Sequence, residues 1–190
     1  IHIYTRRNSP KIEGPARYGS EGNLTYHVVI HDLDMLLWYI DSSVERVYAE
    51  GVSKALKDLN LYDSIFALLK FKNGTVANLE YSWALPENSP TLLDSKLEVV
   101  GTEGMAEIDL AETGLFLGKE KSKIQYPNTF HWPEVNNTVR GDLQTEIMSF
   151  IDCVINDKKP LVTGKDGLKS LEVAQAIEES LGKKVPVYLD

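Results

Sequence analysis

The most regular alternation along the chain lies between residues 65 and 83. Ile65, Ala67, Leu69 and Phe71 are apolar at every second position, and Ala77, Leu79, Tyr81 and Trp83 repeat the pattern beyond Lys72-Asn73-Gly74. A period of two marks a strand with one buried face. Asn-Gly between two such runs predicts a tight hairpin, since both turn positions tolerate positive φ. Val44 to Val52 predicts another strand. Residues 95–101 and 105–110 predict a second hairpin around Gly101-Thr102-Glu103-Gly104, and short strands are expected near 114–118 and 122–126. Residues 1–7 predict a short strand. Residues 8–22, with Pro10, Pro15, Gly14, Gly19 and Gly22, predict loop.

Elsewhere the period changes. Residues 24–40 are densely apolar without Gly or Pro and predict a buried helix. Leu143, Ile147, Phe150, Ile151 and Val154 form the stripe of an amphipathic helix over 141–156, with Cys153 on its apolar side. A last helix is expected from about Asp166 to Leu181, with Thr163 and Asp166 as its cap and Gly182 as its left-handed stop. Pro186 to Leu189 predicts a terminal strand. The order implies an α+β fold: a mostly antiparallel open β-sheet with helices packed on one face, as a single domain over 1–190.

Composition narrows the partners. Of 190 residues, 43% are hydrophobic and 25% charged, ordinary values for a globular chain. The net charge of −8 disfavours nucleic acid and anionic membranes as partners. A lone cysteine permits no internal disulfide and fits a reducing, cytoplasmic setting. No apolar run reaches the roughly 18 residues of a membrane span. There is no G-x-G-x-x-G and no P-loop, so these residues alone carry no nucleotide signature. The chain begins at Ile1 in a strand-like pattern, which reads as a cut through a larger protein.

Candidate chemistry concentrates on the first long helix. At about 100° per residue, His27, His31, Asp34 and Trp38 fall within about 60° of each other. Asp32 is the main polar exception on the remaining apolar face. A narrow polar stripe either faces water or lines a cleft. Histidine titrates near neutrality and can move a proton, and Asp34 lies close enough in sequence to orient it. Such a group suits oxidation of a hydroxyl or reduction of a carbonyl. A solvated stripe with a structural His–Asp contact accounts for the same residues. A metal is a third reading, since His27 and His31 share a face and His131 or Asp34 could complete a set. The intervening Val28-Val29-Ile30 lacks a catalytic Glu, which disfavours it.

Tyr26-His27-Val28-Val29-Ile30-His31-Asp32-Leu33-Asp34 resembles the helix motif of the glucose–fructose oxidoreductase/inositol dehydrogenase (Gfo/Idh/MocA) family, which usually reads Asp-x-x-x-His-Asp-[Ile/Leu]-Asp. Asn73-Gly74-Thr75-Val76-Ala77, Val100-Gly101-Thr102-Glu103-Gly104 and Pro160 to Leu168 look like further family segments in the right order. The resemblance spans essentially all 190 residues. It implies a preceding Rossmann domain, absent from this chain, that binds NAD or NADP. It also implies hydride transfer on a carbohydrate-like substrate (a sugar, sugar nucleotide or polyol) and a homo-oligomer formed through the sheet.

Carried over by position, His31 matches the catalytic acid/base, and Asp34 matches the acidic residue three places on. His27 stands where the family has a carboxylate that helps bind substrate hydroxyls. Arg6 or Arg7 leaves the first strand toward the cleft. Trp132 and His131, in the polar connection 127–140, could cover a sugar ring. The expected substrate contacts are therefore His27, Asp34, Arg7 and Trp132, with no metal. The substitution at His27 keeps a second expectation open: a non-catalytic ligand-binding or oligomerisation module that retains the fold.

Overall fold

The computed structural model describes residues 1–11, 14–111, 114–127, 129 and 132–190. In chain order the elements are β1 (His2–Pro10), α1 (Gly14–Tyr18), α2 (Ile30–Ile40), β2 (Val44–Val52), β3 (Ser64–Phe71), β4 (Val76–Leu85), β5 (Asp94–Val100), β6 (Met105–Asp109), β7 (Leu117–Lys119), β8 (Ser122–Gln125), β9 (Glu134–Val135), β10 (Thr138–Val139), α3 (Asp142–Ile155), α4 (Gly164–Lys183) and β11 (Val187–Tyr188). Seven strands form one sheet in the order β11-β2-β3-β4-β1-β5-β6. β7 with β8, and β9 with β10, form two small separate hairpins. This is the α+β, mostly antiparallel open sheet that the periodicity implies.

The alternation decides which sheet face is covered. Ile65, Ala67, Leu69, Phe71, Ala77, Leu79, Tyr81 and Trp83 are all buried. They meet Val29, Leu33 and Leu36 around α2, and Val173, Ala174, Ile177 and Leu181 of α4. Each large apolar side chain so buried contributes about 1.5–3 kcal/mol before the entropy cost of ordering the chain. The opposite face is open. Phe66 and Leu68 stand about half exposed on it. Beside them Tyr4 and Asn8 donate to Glu80, and Arg6 pairs with Asp94 at 2.7 Å.

One pairing departs from antiparallel order and positions the site. β1 lies parallel to β4, which sets Arg7 beside Tyr81 and Thr5 beside Leu79. Arg7, Thr5 and Tyr81 therefore point from neighbouring strands toward the helix layer, while Arg6 points away to Asp94. The alternation of β1 thus selects Arg7 of the two arginines.

Several local expectations are corrected. β1 runs on to Pro10, and residues 14–18, expected as loop, form a helical turn. The helix expected over 24–40 opens with a π-helical turn, Thr25–Val29, in which the Ile30 N–H donates to Thr25 O. The β3–β4 turn places only Gly74 at positive φ (+92°), not Asn73. Gly74 N–H donates to Phe71 O and Phe71 N–H to Thr75 O, both at 2.9 Å, the pattern of a turn closed by a glycine bulge.

Gly182 does not stop the last helix. The helix continues to Lys183, and Lys184 takes the left-handed conformation while its N–H donates to Ser180 O. The expected capping box is present: the Thr163 side chain accepts from the Asp166 backbone and the Thr163 N–H donates to the Asp166 carboxylate, to which the Thr163 hydroxyl also donates. The stripe of α3 is present but has no buried residue, so Cys153 is half-buried rather than core.

Candidate substrate cleft

Asp32 is the anchor of the site. It sits on the core side of α2 and is only 3% exposed. Arg7 Nη2 donates to its Oδ1 at 2.6 Å, and the Tyr81 hydroxyl donates to its Oδ2 at 2.9 Å. Thr5 Oγ1 lies 3.1 Å from the same hydroxyl. Burial and the Asp32 charge push the Tyr81 phenol well above its ordinary value, so it remains an O–H donor. A buried carboxylate without partners would be very costly. Here a cation from β1 and a hydroxyl from β4 satisfy it, and together they fix how α2 docks on the sheet.

His31 follows from that docking. With Asp32 turned inward, His31 is turned outward, to a point where two clefts meet. It is solvent-accessible, yet enough protein surrounds the ring to matter. Burial first, and then the Arg7 guanidinium, hold its pKa below the ordinary 6.5, against the opposing pull of Asp32, Glu146 and Asp34. The neutral imidazole is thereby favoured at neutral pH, which makes it a proton acceptor.

The smaller cleft, about 290 Å³, brings together Arg7, His27, His31 and Trp132. The His27 ring lies 4.2 Å from that of Tyr18 and 6.2 Å from that of Trp83. Its Nδ1 is held 2.9 Å from Asn23 O, at the start of the π-helical turn. Gly14 belongs to the same wall. A Cβ there would stand 2.2 Å from the Trp83 indole, so only glycine lets this backbone approach so closely. Thr91, Leu92, Leu93 and Tyr126 approach from the loops on the other side.

Asp34 is not brought into this group. It lines the larger cleft, about 1040 Å³, between α2, the start of α4 and the C-terminal strand, and accepts a hydrogen bond from Ser170 at 3.2 Å. Among the described residues His31 has no hydrogen bond to Asp34. Among the described residues only His31 belongs to both clefts. The smaller one carries the convergent polar and aromatic groups that recognise a small ligand, and it is the candidate site despite its size. His131 lies outside the described residues. Among those described, no group of three or more His, Cys, Asp or Glu is placed to hold a metal ion.

A sequence model for the C-terminal α/β domain of the Gfo/Idh/MocA oxidoreductases matches residues 5–189. The chain belongs to the Gfo/Idh/MocA family. Among curated proteins of Bacillus subtilis, it is 28% identical over 181 residues to the uncharacterized oxidoreductase YrbE, covering 90% of this chain and 49% of that protein. It is 26% identical over 180 residues to scyllo-inositol 2-dehydrogenase (NAD(+)), covering 89% and 48%. The chain thus spans about half the length of these relatives. Its fold is shared with a solved scyllo-inositol dehydrogenase from Lactobacillus casei with bound NAD(H) and scyllo-inositol (TM-score 0.75, 20% identity, 98% of this chain and 56% of that one). A probable dehydrogenase from Thermotoga maritima gives the same TM-score at 24% identity, again over 98% and 56%.

Within the Gfo/Idh/MocA helix motif the sequence points to His31 and His27, whereas Asp32 reads as a polar exception, and Tyr81 of β4 reads as sheet packing. A usable signal existed for Asp32. A single carboxylate on an otherwise apolar helix face demands buried partners. Which partners they are depends on the parallel β1–β4 pairing, and nothing local in the sequence declares that. Arg17, Tyr18 and Gly14, in a segment expected as loop, were missed for the same reason.

Proposed function

We propose that this chain is the substrate-side domain of an NAD- or NADP-dependent oxidoreductase that interconverts a hydroxyl and a keto group on a sugar, sugar nucleotide or polyol. The observation that carries the reading is the placement of His31. It is a solvent-accessible imidazole with a lowered pKa, at the mouth of a cleft where Arg7, His27 and Trp132 converge. In the oxidative direction a ring nitrogen of His31 accepts the proton of the reacting hydroxyl, and in the reductive direction it returns it. Asp32 and Tyr81 hold the helix that presents His31. Arg7, His27 and Trp132 orient the ligand, while Asp34 stands on the far side of His31 and tethers α2 to α4.

The chain has no glycine-rich phosphate turn, which supports a dinucleotide held mainly by residues outside it. We assign that task to a nucleotide-binding N-terminal half, for which the twofold length of the relatives and the exposed apolar stripe of α3 are the support. The nicotinamide, when bound, supplies the hydride acceptor or donor. The open sheet face with Phe66 and Leu68 supports a homo-oligomer.

The test is turnover by the full-length protein with NAD or NADP against a panel of polyols and sugars. His31→Ala should lower kcat by at least about 100-fold, the usual contribution of a general acid/base. Normal turnover by that variant would overturn the assignment. His27, standing in place of the family's carboxylate, favours a second reading, a ligand-binding module without catalysis. That reading expects saturable binding with no turnover in the same assay.

A further inference from the structure

The two clefts that meet at His31 differ in charge. The larger one is lined by Asp34, Asp41, Asp166, Glu172 and Asp190, with Lys169 the one lysine or arginine among its lining residues. Among the described residues lining the smaller one there is no Asp or Glu, while Arg7, Arg17, His27 and His31 all reach it. Asp32 does not supply the missing negative face. It is buried behind Arg7, and both its oxygens are engaged. Arg7 spends Nη2 on Asp32, and its Nε is buried without a partner among the described residues. Arg17 is exposed on α1, its guanidinium 5.5 Å from the Tyr18 ring centre. In a chain of net charge −8, a small cleft with cationic groups and no carboxylate among its described lining residues is a local reversal of sign.

A neutral polyol is held mainly by hydrogen bonds to hydroxyls, for which a carboxylate acceptor is the natural partner. This cleft presents guanidinium donors instead, which match the oxygens of a carboxylate or phosphate. Its volume of about 290 Å³ suits one monosaccharide-sized ring, and Tyr18, Trp83 and Trp132 offer apolar faces to it. Taking the cleft to be the substrate site, as proposed above, we infer that it selects sugars or polyols bearing an anionic group over neutral ones. Arg17 is the specificity-determining contact, and His27 supports it by withholding negative charge.

The test is direct binding to the full-length protein, by calorimetry and by tryptophan fluorescence. The probes are D-gluconate, D-glucuronate and glucose 6-phosphate against D-glucose and myo-inositol. The expected result is affinity at least about ten-fold higher for an anionic probe than for the neutral ones at low salt, the gap narrowing as salt rises. The carboxylate and phosphate arms identify which anion is preferred. Arg17→Met should remove most of that gap by weakening the anionic probes, and His27→Asp should turn the preference toward neutral polyols. Circular dichroism of both variants checks that the fold is kept. Equal or tighter binding of D-glucose or myo-inositol would overturn the anionic preference and leave the substrate-site reading standing. An unchanged gap in Arg17→Met would overturn the role of Arg17. Binding of no probe of either class would remove the substrate-site reading and this inference with it.

Discussion

At the residue scale, His31 and Asp32 illustrate how adjacent positions on one helix acquire opposite roles. Asp32 faces the core and is satisfied by Arg7 and Tyr81, whereas His31 faces the clefts. Removing one partner of a buried ion pair strands the other, so Asp32→Ala should cost about 3–5 kcal/mol, read from the urea midpoint. Replacing a surface carboxylate such as Glu179 should cost less than about 0.5 kcal/mol on the same scale. For His31 the sign follows from its lowered pKa. The neutral base is present above that pKa and lost as pH falls through it, so in the oxidative direction kcat/KM should fall on the acid side with a midpoint below 6.5. Arg7 lowers the His31 pKa, so Arg7→Met should move that midpoint upward. Titration of the His31 ring protons by NMR in this chain checks the same shift without turnover.

At the element scale, the helices differ in what holds them. Ile177 of α4 is fully buried, and Ile177→Ala should cost about 2–5 kcal/mol. Ile151 of α3 is 41% exposed, and Ile151→Ser should change the stability of this chain by less than about 0.5 kcal/mol. Chemical denaturation of the two variants side by side decides it. The segment before β3 is held by Asp63. The residue is buried, and its carboxylate accepts the backbone N–H groups of Lys54, Ala55 and Leu56 at 2.7–2.8 Å. Burial opposes ionisation, but those three donors prevail and keep the group below its ordinary 3.8. Its contribution to stability is therefore full above that value and is lost as pH falls through the depressed one. Asp63→Ala should cost about 1–3 kcal/mol at neutral pH, with the difference from wild type vanishing in strong acid, as thermal melts across pH would show.

At the scale of the whole molecule, the sheet has one covered and one open face, and α3 adds an uncovered apolar stripe. If the open face carries the proposed self-association, Leu68→Glu should shift sedimentation toward a smaller species while leaving the melting temperature of the subunit nearly unchanged. No helix among the described residues is long and apolar enough to cross a membrane, so neither apolar surface belongs to a membrane-spanning helix. The charge divides in the same way, acidic on one side of His31 and cationic on the other.

The sequence by itself determined the strands from Val44 to Asp109, the α3 and α4 helices, the family motif and His31. Each of these is written in contiguous periodicity or short spacing, which local physics reads directly. Only the tertiary structure decided that Arg7 is paired with Asp32, that Asp32 is the anchor of the site and that Asp34 stands in a different cleft from His27. Those outcomes depend on the parallel β1–β4 register and on the π-helical turn at Thr25–Val29, which rotates His27 relative to the helix that follows. Pairings between residues more than seventy positions apart leave no local trace, because what fixes them is the burial and partner each side chain finds across the sheet.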